Sequence, residues 1–167
     1  MSETHIRDMK SEDAEAVSSM LTASWLATYK PVLGEAQADP IARAMFSAEK
    51  QAEQAIDADI TTIVAECEEG SICGVAMTSL DNNGKAWIDQ IHVAPKFYGT
   101  GLADNLMQAV LVKHTGLPSI SLSFIVGNGR AQEFYQRHGF KVVFERPDWG
   151  FMKGIPSVTM TKILQRS

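Results

Sequence analysis

The order of elements along the chain predicts the α/β (α+β) class, with a mixed central sheet and helices on both faces. Three observations carry that prediction. Helical periodicity fills the first third of the chain, β-branched runs separated by turn signals follow, and the remainder alternates strand, helix, strand, helix, strand. At 167 residues the chain suits a single domain, 1–167, because domains cluster near roughly 100–150 residues. No internal repeat, low-complexity tract or Pro/Gly-rich linker divides it.

Each element has its own signal. His5–Met9 alternates weakly and reads as a short strand. Ser11 suits a helix N-cap before acidic Glu12 and Asp13. Ala14, Val17, Met20, Leu21, Ser24 and Trp25 then recur at helical spacing, and Pro31 is expected to stop that helix, with Gly34 beyond. A second helix is expected from about Pro40 to Ala58, with Ile41, Met45, Ala48, Ala52 and Ile56 on one side. Ile60–Ala65 and Ile72–Met77 form an antiparallel hairpin about Glu68-Glu69-Gly70, and Asp81-Asn82-Asn83-Gly84 is a turn. A strand Ala86–Val93 ends at Pro95. After it come a helix over about Gly101–His114, a strand Ser119–Val126 and a helix over about Arg130–His138. Strands near Lys141–Glu145 and Val158–Ile163 close the pattern.

Composition excludes several functions. The formal net charge is -5 and no basic run occurs, which argues against nucleic-acid binding. No segment approaches about 20 apolar residues, so no membrane helix is expected, and an N-terminus without an apolar stretch points to the cytoplasm. Cys67 and Cys73 lack a second Cys/His pair and read as buried thiols, with no metal.

The chemistry concentrates between Ile91 and Ala103. A β-branched strand runs into Pro95, then the loop Tyr98-Gly99-Thr100-Gly101, then an amphipathic helix. Such a junction presents free backbone N–H groups at a helix N-terminus, where the dipole favours an anion. Gly99 and Gly101 remove the Cβ atoms that would hold a pyrophosphate away. The Walker loop is excluded because Leu102-Ala103 follow the glycine, and the dinucleotide fingerprint because Asp104 stands at its third glycine. Glycines here also serve plain turns, so the loop alone does not decide. A second stretch, Asn128 to Phe140, places an N-cap at Asn128 and a stop at Gly139, with Ala131, Phe134 and Tyr135 on adjacent helix faces.

Together these stretches resemble the GCN5-related N-acetyltransferase (GNAT) superfamily. Its phosphate loop, Gln/Arg-x-x-Gly-x-Gly/Ala, is matched by Tyr98-Gly99-Thr100-Gly101-Leu102-Ala103, except that Tyr98 replaces the usual Gln or Arg. Its later motif, Asn-x-x-Ala-x-x-Phe-Tyr-x-x-x-Gly-Phe, is matched from Asn128 through Phe140. The resemblance covers about Trp87 to Phe144. It implies a mostly antiparallel sheet of six or seven strands, acetyl-CoA as cosubstrate and direct transfer of its acetyl group to a primary amine, with a small molecule as the expected acceptor. Ile91 and Val93 would hold the pantetheine through their backbone, between strands splaying at Val93 and Val126. Tyr98, Gly99, Thr100, Gly101, Leu102 and Ala103 would grip the diphosphate, with Lys96 a substitute donor for the missing side chain. Asn128, Ala131 and Tyr135 would complete the cofactor site.

Tyr135 matches the family's acid for the departing sulfur, against a bland reading as an aromatic packing beside Phe134. His92, with a suitable intrinsic pKa, is the first candidate for the base and Asp89 the second. Strand alternation puts Gln90 and His92 on one face and Asp89 on the other. Trp25, Tyr29, Gln90 and Trp149 are expected in the acceptor pocket, the first two resembling a Ser-Trp-x-x-x-Tyr segment of bacterial members. Trp149 lies in an apolar loop, Asp148–Met152. The alternatives are a protein or peptide N-acetyltransferase and a catalytically silent CoA-binding module. A homodimer is a candidate assembly; no nucleic acid or membrane partner is expected.

Overall fold

The computed structural model describes residues 3–150 and 152–165. Seven strands hydrogen-bond in the order β1-β2-β3-β4-β5-β7-β6. These are β1 (His5–Asp8), β2 (Ile60–Glu66), β3 (Ile72–Leu80), β4 (Ala86–Val93), β5 (Ser119–Ile125), β6 (Lys141–Arg146) and β7 (Ser157–Ile163). β1–β2, β5–β7 and β6–β7 pair antiparallel, and β4–β5 pairs parallel, as a strand–helix–strand crossover requires. The mostly antiparallel class expected from the resemblance is the one observed.

The chain divides into two compact units. The first joins Met1–Thr78 with Gln90–Val110, and the second joins Ser79–Asp89 with Leu111–Ser167. In the first, α1 (Ala14–Leu33) buries Ala14, Val17, Leu21, Trp25, Tyr29 and Leu33 at three- and four-residue spacing. The helix passes through Pro31 rather than stopping before it. In the last turn the proline forfeits one hydrogen bond, and the chain ends the helix at Gly34, whose φ is +82°. The helix expected over 40–58 is two: α2 (Glu35–Phe46) and α3 (Ala48–Ala55). Ser47 breaks them, extended in backbone, its hydroxyl accepting the Lys50 N–H at 3.2 Å as an N-cap. Ser11 is not the N-cap expected of it: it opens a short 3-10 turn whose N-cap is Lys10, with the Lys10 N–H donating to the Asp13 carboxylate at 2.8 Å, and α1 starts after Asp13. Arg7 joins this turn to β1 and β2 through Asp13 and Glu66, each at 2.8 Å.

α4 (Leu102–Lys113) begins in the first unit and buries Leu102, Leu106, Met107 and Val110. In the second unit, β5 buries Ile120, Leu122 and Phe124 on one face and turns Ser121 and Ser123 to the other. α5 (Gly129–Arg137) follows β5, and Lys162 on β7 donates to the His138 carbonyl at 2.7 Å where that helix ends.

Candidate active site

In the first unit β4 delivers the phosphate-type loop. The Ala94 N–H donates to the Cys73 carbonyl at 2.9 Å, tying the strand's exit to β3. Pro95–Phe97 makes a 3-10 turn anchored by the buried Phe97 ring, and Thr100 folds back on it through its N–H and its hydroxyl. Gly99 and Gly101 stand at φ of +75° and +88°, the left-handed region that side-chain-bearing residues avoid. A Cβ built on either would meet no protein atom within 4 Å. Their glycine identity therefore answers backbone conformation and open space outside the loop, not internal packing. The first turn of α4 starts directly after, the Asn105 N–H donating to the Gly101 carbonyl at 3.0 Å. This arrangement fits a diphosphate: amides at a helix start, a favourable dipole and no Cβ shield. Tyr98 projects into solvent, and Lys96 lies over the Phe97 ring at 5.4 Å.

Ile91 and Val93 lie on β4 just before this loop, Ile91 half-buried and Val93 buried. Gln90 and His92 share one face of the strand. The His92 imidazole hydrogen-bonds the Gln90 side chain, Nε2 to Oε1, at 2.8 Å. Burial pushes His92 down to about 4, leaving it neutral at physiological pH. The other aromatic candidates of this unit form a core. Trp25 is 1% exposed, 5.0 Å from the Tyr29 ring and 6.2 Å from that of Phe46. Cys67 and Cys73 are buried, and burial first, then the Cys67 thiol alongside, pushes Cys73 up to about 12.

In the second unit Asn128 caps α5, its side-chain oxygen accepting the Ala131 N–H at 3.2 Å. Tyr135 is half-buried, its ring stacked on Phe124 at 5.9 Å and edge-on to Phe134 and Phe140. Those three rings pack around the Tyr135 ring. Asp89 is the other candidate of this unit. Its carboxyl keeps contact with solvent, yet protein crowding pushes it up to about 6 against an opposing hydrogen bond from Ser79.

Sequence reasoning did not find a cleft of about 440 Å³ in the second unit. Its floor is a sheet face carrying Trp87, Ser123 and Thr159, and its rim is the β6–β7 connection with Trp149. Asp81 holds the Trp87 indole, accepting from Nε1 at 3.0 Å, while its other oxygen organises the 81–85 turn. Trp149 is fixed by a two-way backbone pairing with Met152, and the Ser157 hydroxyl anchors the rim to the Asp148 carbonyl at 2.7 Å. Phe151, expected in this loop, lies outside the described residues. The alternation of Ser119, Ser121 and Ser123 was the signal for a polar sheet face. Among the described residues no cluster of three or more His, Cys, Asp or Glu suits a metal ion, and no helix is long and apolar enough to cross a membrane.

A sequence profile of the Acetyltransferase (GNAT) family matches residues 20–140. Spermine/spermidine N(1)-acetyltransferase of Bacillus subtilis is 33% identical over 84 residues, 44% of this chain and 55% of that enzyme, so the match spans about half of the relative's length. An uncharacterized N-acetyltransferase of Mycobacterium bovis, Mb2688, is 26% identical over 132 residues, 78% of this chain and 84% of that protein. The PaiA N-acetyltransferase of Thermoplasma acidophilum, solved in complex with coenzyme A, superposes with a TM-score of 0.80 at 22% identity, covering 96% of this chain and 99% of that one.

Proposed function

The chain belongs to the acetyltransferase (GNAT) family, and from that premise we propose that it transfers acetyl from acetyl-CoA directly to a primary amine of a small-molecule acceptor. The observation that supports this reading most is the Gly99–Gly101 loop, with two left-handed residues opening α4 beneath unshielded space. Backbone amides of Gly99, Gly101 and Ala103 bind the cosubstrate's diphosphate, and Thr100, whose own N–H and hydroxyl go to the Phe97 carbonyl, sets their direction. The Tyr98 N–H donates to the Pro95 carbonyl at 3.0 Å and its side chain carries no charge, so the grip is a main-chain one from the residues that follow. Backbone groups of Ile91 and Val93 orient the pantetheine as an added strand would.

The cosubstrate supplies a thioester whose sulfur leaves as the amide forms. The chain supplies the proton traffic. Asp89, with a carboxyl pushed up to about 6, takes the proton from the acceptor's ammonium, because its affinity for protons is better matched to neutral pH than that of His92. His92, held by Gln90, orients that strand face without titrating. Tyr135 donates its phenolic proton to the departing sulfur, and Asn128 and Ala131 set the start of the helix that carries it. Trp149 walls the acceptor, and Trp25 and Tyr29 stiffen the helical core.

The test is thiol release from acetyl-CoA across primary amines, aminoglycosides, polyamines and peptides. Amine-dependent release with acetylated product is expected. A chain that binds coenzyme A yet releases nothing with any acceptor is a silent module.

A further inference from the structure

The unit-2 cleft has a charge arrangement that selects among acceptors, and its origin is one extra residue in β6. β6 and β7 pair as Lys141 with Thr161 and Val142 with Met160, but then as Phe144 with Thr159 and Arg146 with Ser157. Val143 is a bulge. Because side chains alternate with period two, a one-residue slip moves everything beyond it to the opposite face. Without the bulge Arg146 would share the face of Leu122 and Met160, which is core. With it, Arg146 joins Ser157, Thr159 and Ser123 at the cleft, its guanidinium packed over the Phe144 ring at 4.7 Å.

The cleft's charges are unequally satisfied. Asp148 accepts the Gly154 N–H at 2.8 Å and lies 3.7 Å from the Lys153 ammonium. Arg146, among the described residues, makes no ion pair. On the same sheet face as Trp87, by strand alternation, stands Asp89. A ligand seated in this cleft thus meets a guanidinium that makes no ion pair among the described residues, beside hydroxyls, and Asp89 stands on the same sheet face two residues along β4 from the lining Trp87. We propose that the acceptor is an amino carboxylate whose anionic group is received by Arg146 while its amine is directed to Asp89, which sets this chain apart from a polyamine enzyme. The proposal rests on the acetyl-transfer reading and names its substrate class. A guanidinium stacked on an aromatic ring is pre-set to present its fork to a carboxylate, which an ammonium on a free stem is not.

The experiment uses the full chain with glycine, β-alanine, 4-aminobutanoate, 5-aminopentanoate and lysine, each paired with its decarboxylated amine. Acetyl transfer is followed by thiol release, and binding by calorimetry. At least one amino carboxylate is expected to exceed its partner in kcat/KM by about tenfold, the worth of one charge-assisted contact. Arg146→Ala should bring that ratio close to one, with the loss in KM, and Arg146→Lys should restore only part. Amines equal to or better than their carboxylates, or a ratio untouched by Arg146→Ala, overturn the proposal. If no acceptor is acetylated, the acetyl-transfer reading fails while calorimetry still judges the cleft. Binding of an amino carboxylate that Arg146→Ala weakens upholds it, and binding that is absent or insensitive ends it.

Discussion

In the proposed mechanism Asp89 and Tyr135 take opposite proton roles, and the surroundings of Asp89 favour its part. Asp89 is crowded enough that its neutral form gains, raising its carboxyl to about 6. Only the ionised form accepts a proton, so that form grows as pH rises through about 6 and is complete above it. Turnover at saturating acceptor should therefore climb about tenfold per pH unit below this value and level off above it. Asp89→Asn should remove that limb along with most of the rate. A profile flat from pH 5 to 8 in the unaltered enzyme would instead point to a base such as His92, already deprotonated above about 4. In the same proposal Tyr135 works the other way, as a phenolic proton donor. Tyr135→Phe keeps the ring that stacks on Phe124 and deletes only the donor. It should lower turnover by roughly 10²-fold while leaving calorimetric affinity for acetyl-CoA near that of the parent. Equal turnover would return Tyr135 to the role of an aromatic packing residue.

Among elements, the packing of α4 on the strands of the first unit decides whether the phosphate loop keeps its shape. Gly74 on β3 leaves no room for a side chain beneath α4: a Cβ there would stand 2.8 Å from Leu106 Cδ1 and 3.3 Å from the Ala65 Cβ. Leu106 is fully buried and has little room to retreat. Gly74→Val should thus cost about 1–3 kcal/mol in urea unfolding, by overpacking, and weaken acetyl-CoA binding through the displaced start of α4. A variant as stable as the parent would mean that α4 shifts freely. The same close approach explains what could be read in advance. Strands and the α4 and α5 helices announced themselves because their apolar spacing and their glycine and proline punctuation agree. The division of 40–58 at Ser47 did not, because the helical periodicity runs on across it and only a capping hydroxyl marks the break. Pro31 misled for the opposite reason: a strong local breaker was tolerated by a helix already near its end.

At the scale of the whole chain, the parts of the candidate site made of backbone were legible and the parts made of side chains were not. Glycine spacing at 99 and 101 and the Asn128 cap follow from local rules, so motif and geometry agree. The cleft does not, since Trp87, Ser123 and Arg146 come together only through strand pairing and a bulge that no local pattern announces. Trp25 was equally opaque, because helical spacing alone cannot tell an indole in a core from one lining a pocket. The proposed main-chain grip on the cosubstrate has a consequence for the molecule's stability. Anything that binds only the folded state stabilises it by RT ln(1 + [L]/Kd), about 2.7 kcal/mol at a hundredfold excess over Kd. In a chain of this length each kcal/mol moves the unfolding midpoint by about 2–4 °C, so saturating acetyl-CoA should raise Tm by about 5–10 °C. Gly101→Val provides the control. A β-branched residue at φ +88° strains the loop by about 1–3 kcal/mol and fills the space above its amides, so its Tm should start lower and respond far less to acetyl-CoA. An equal rise in both proteins would mean that the cosubstrate is held by side chains elsewhere and that the glycines serve only the turn.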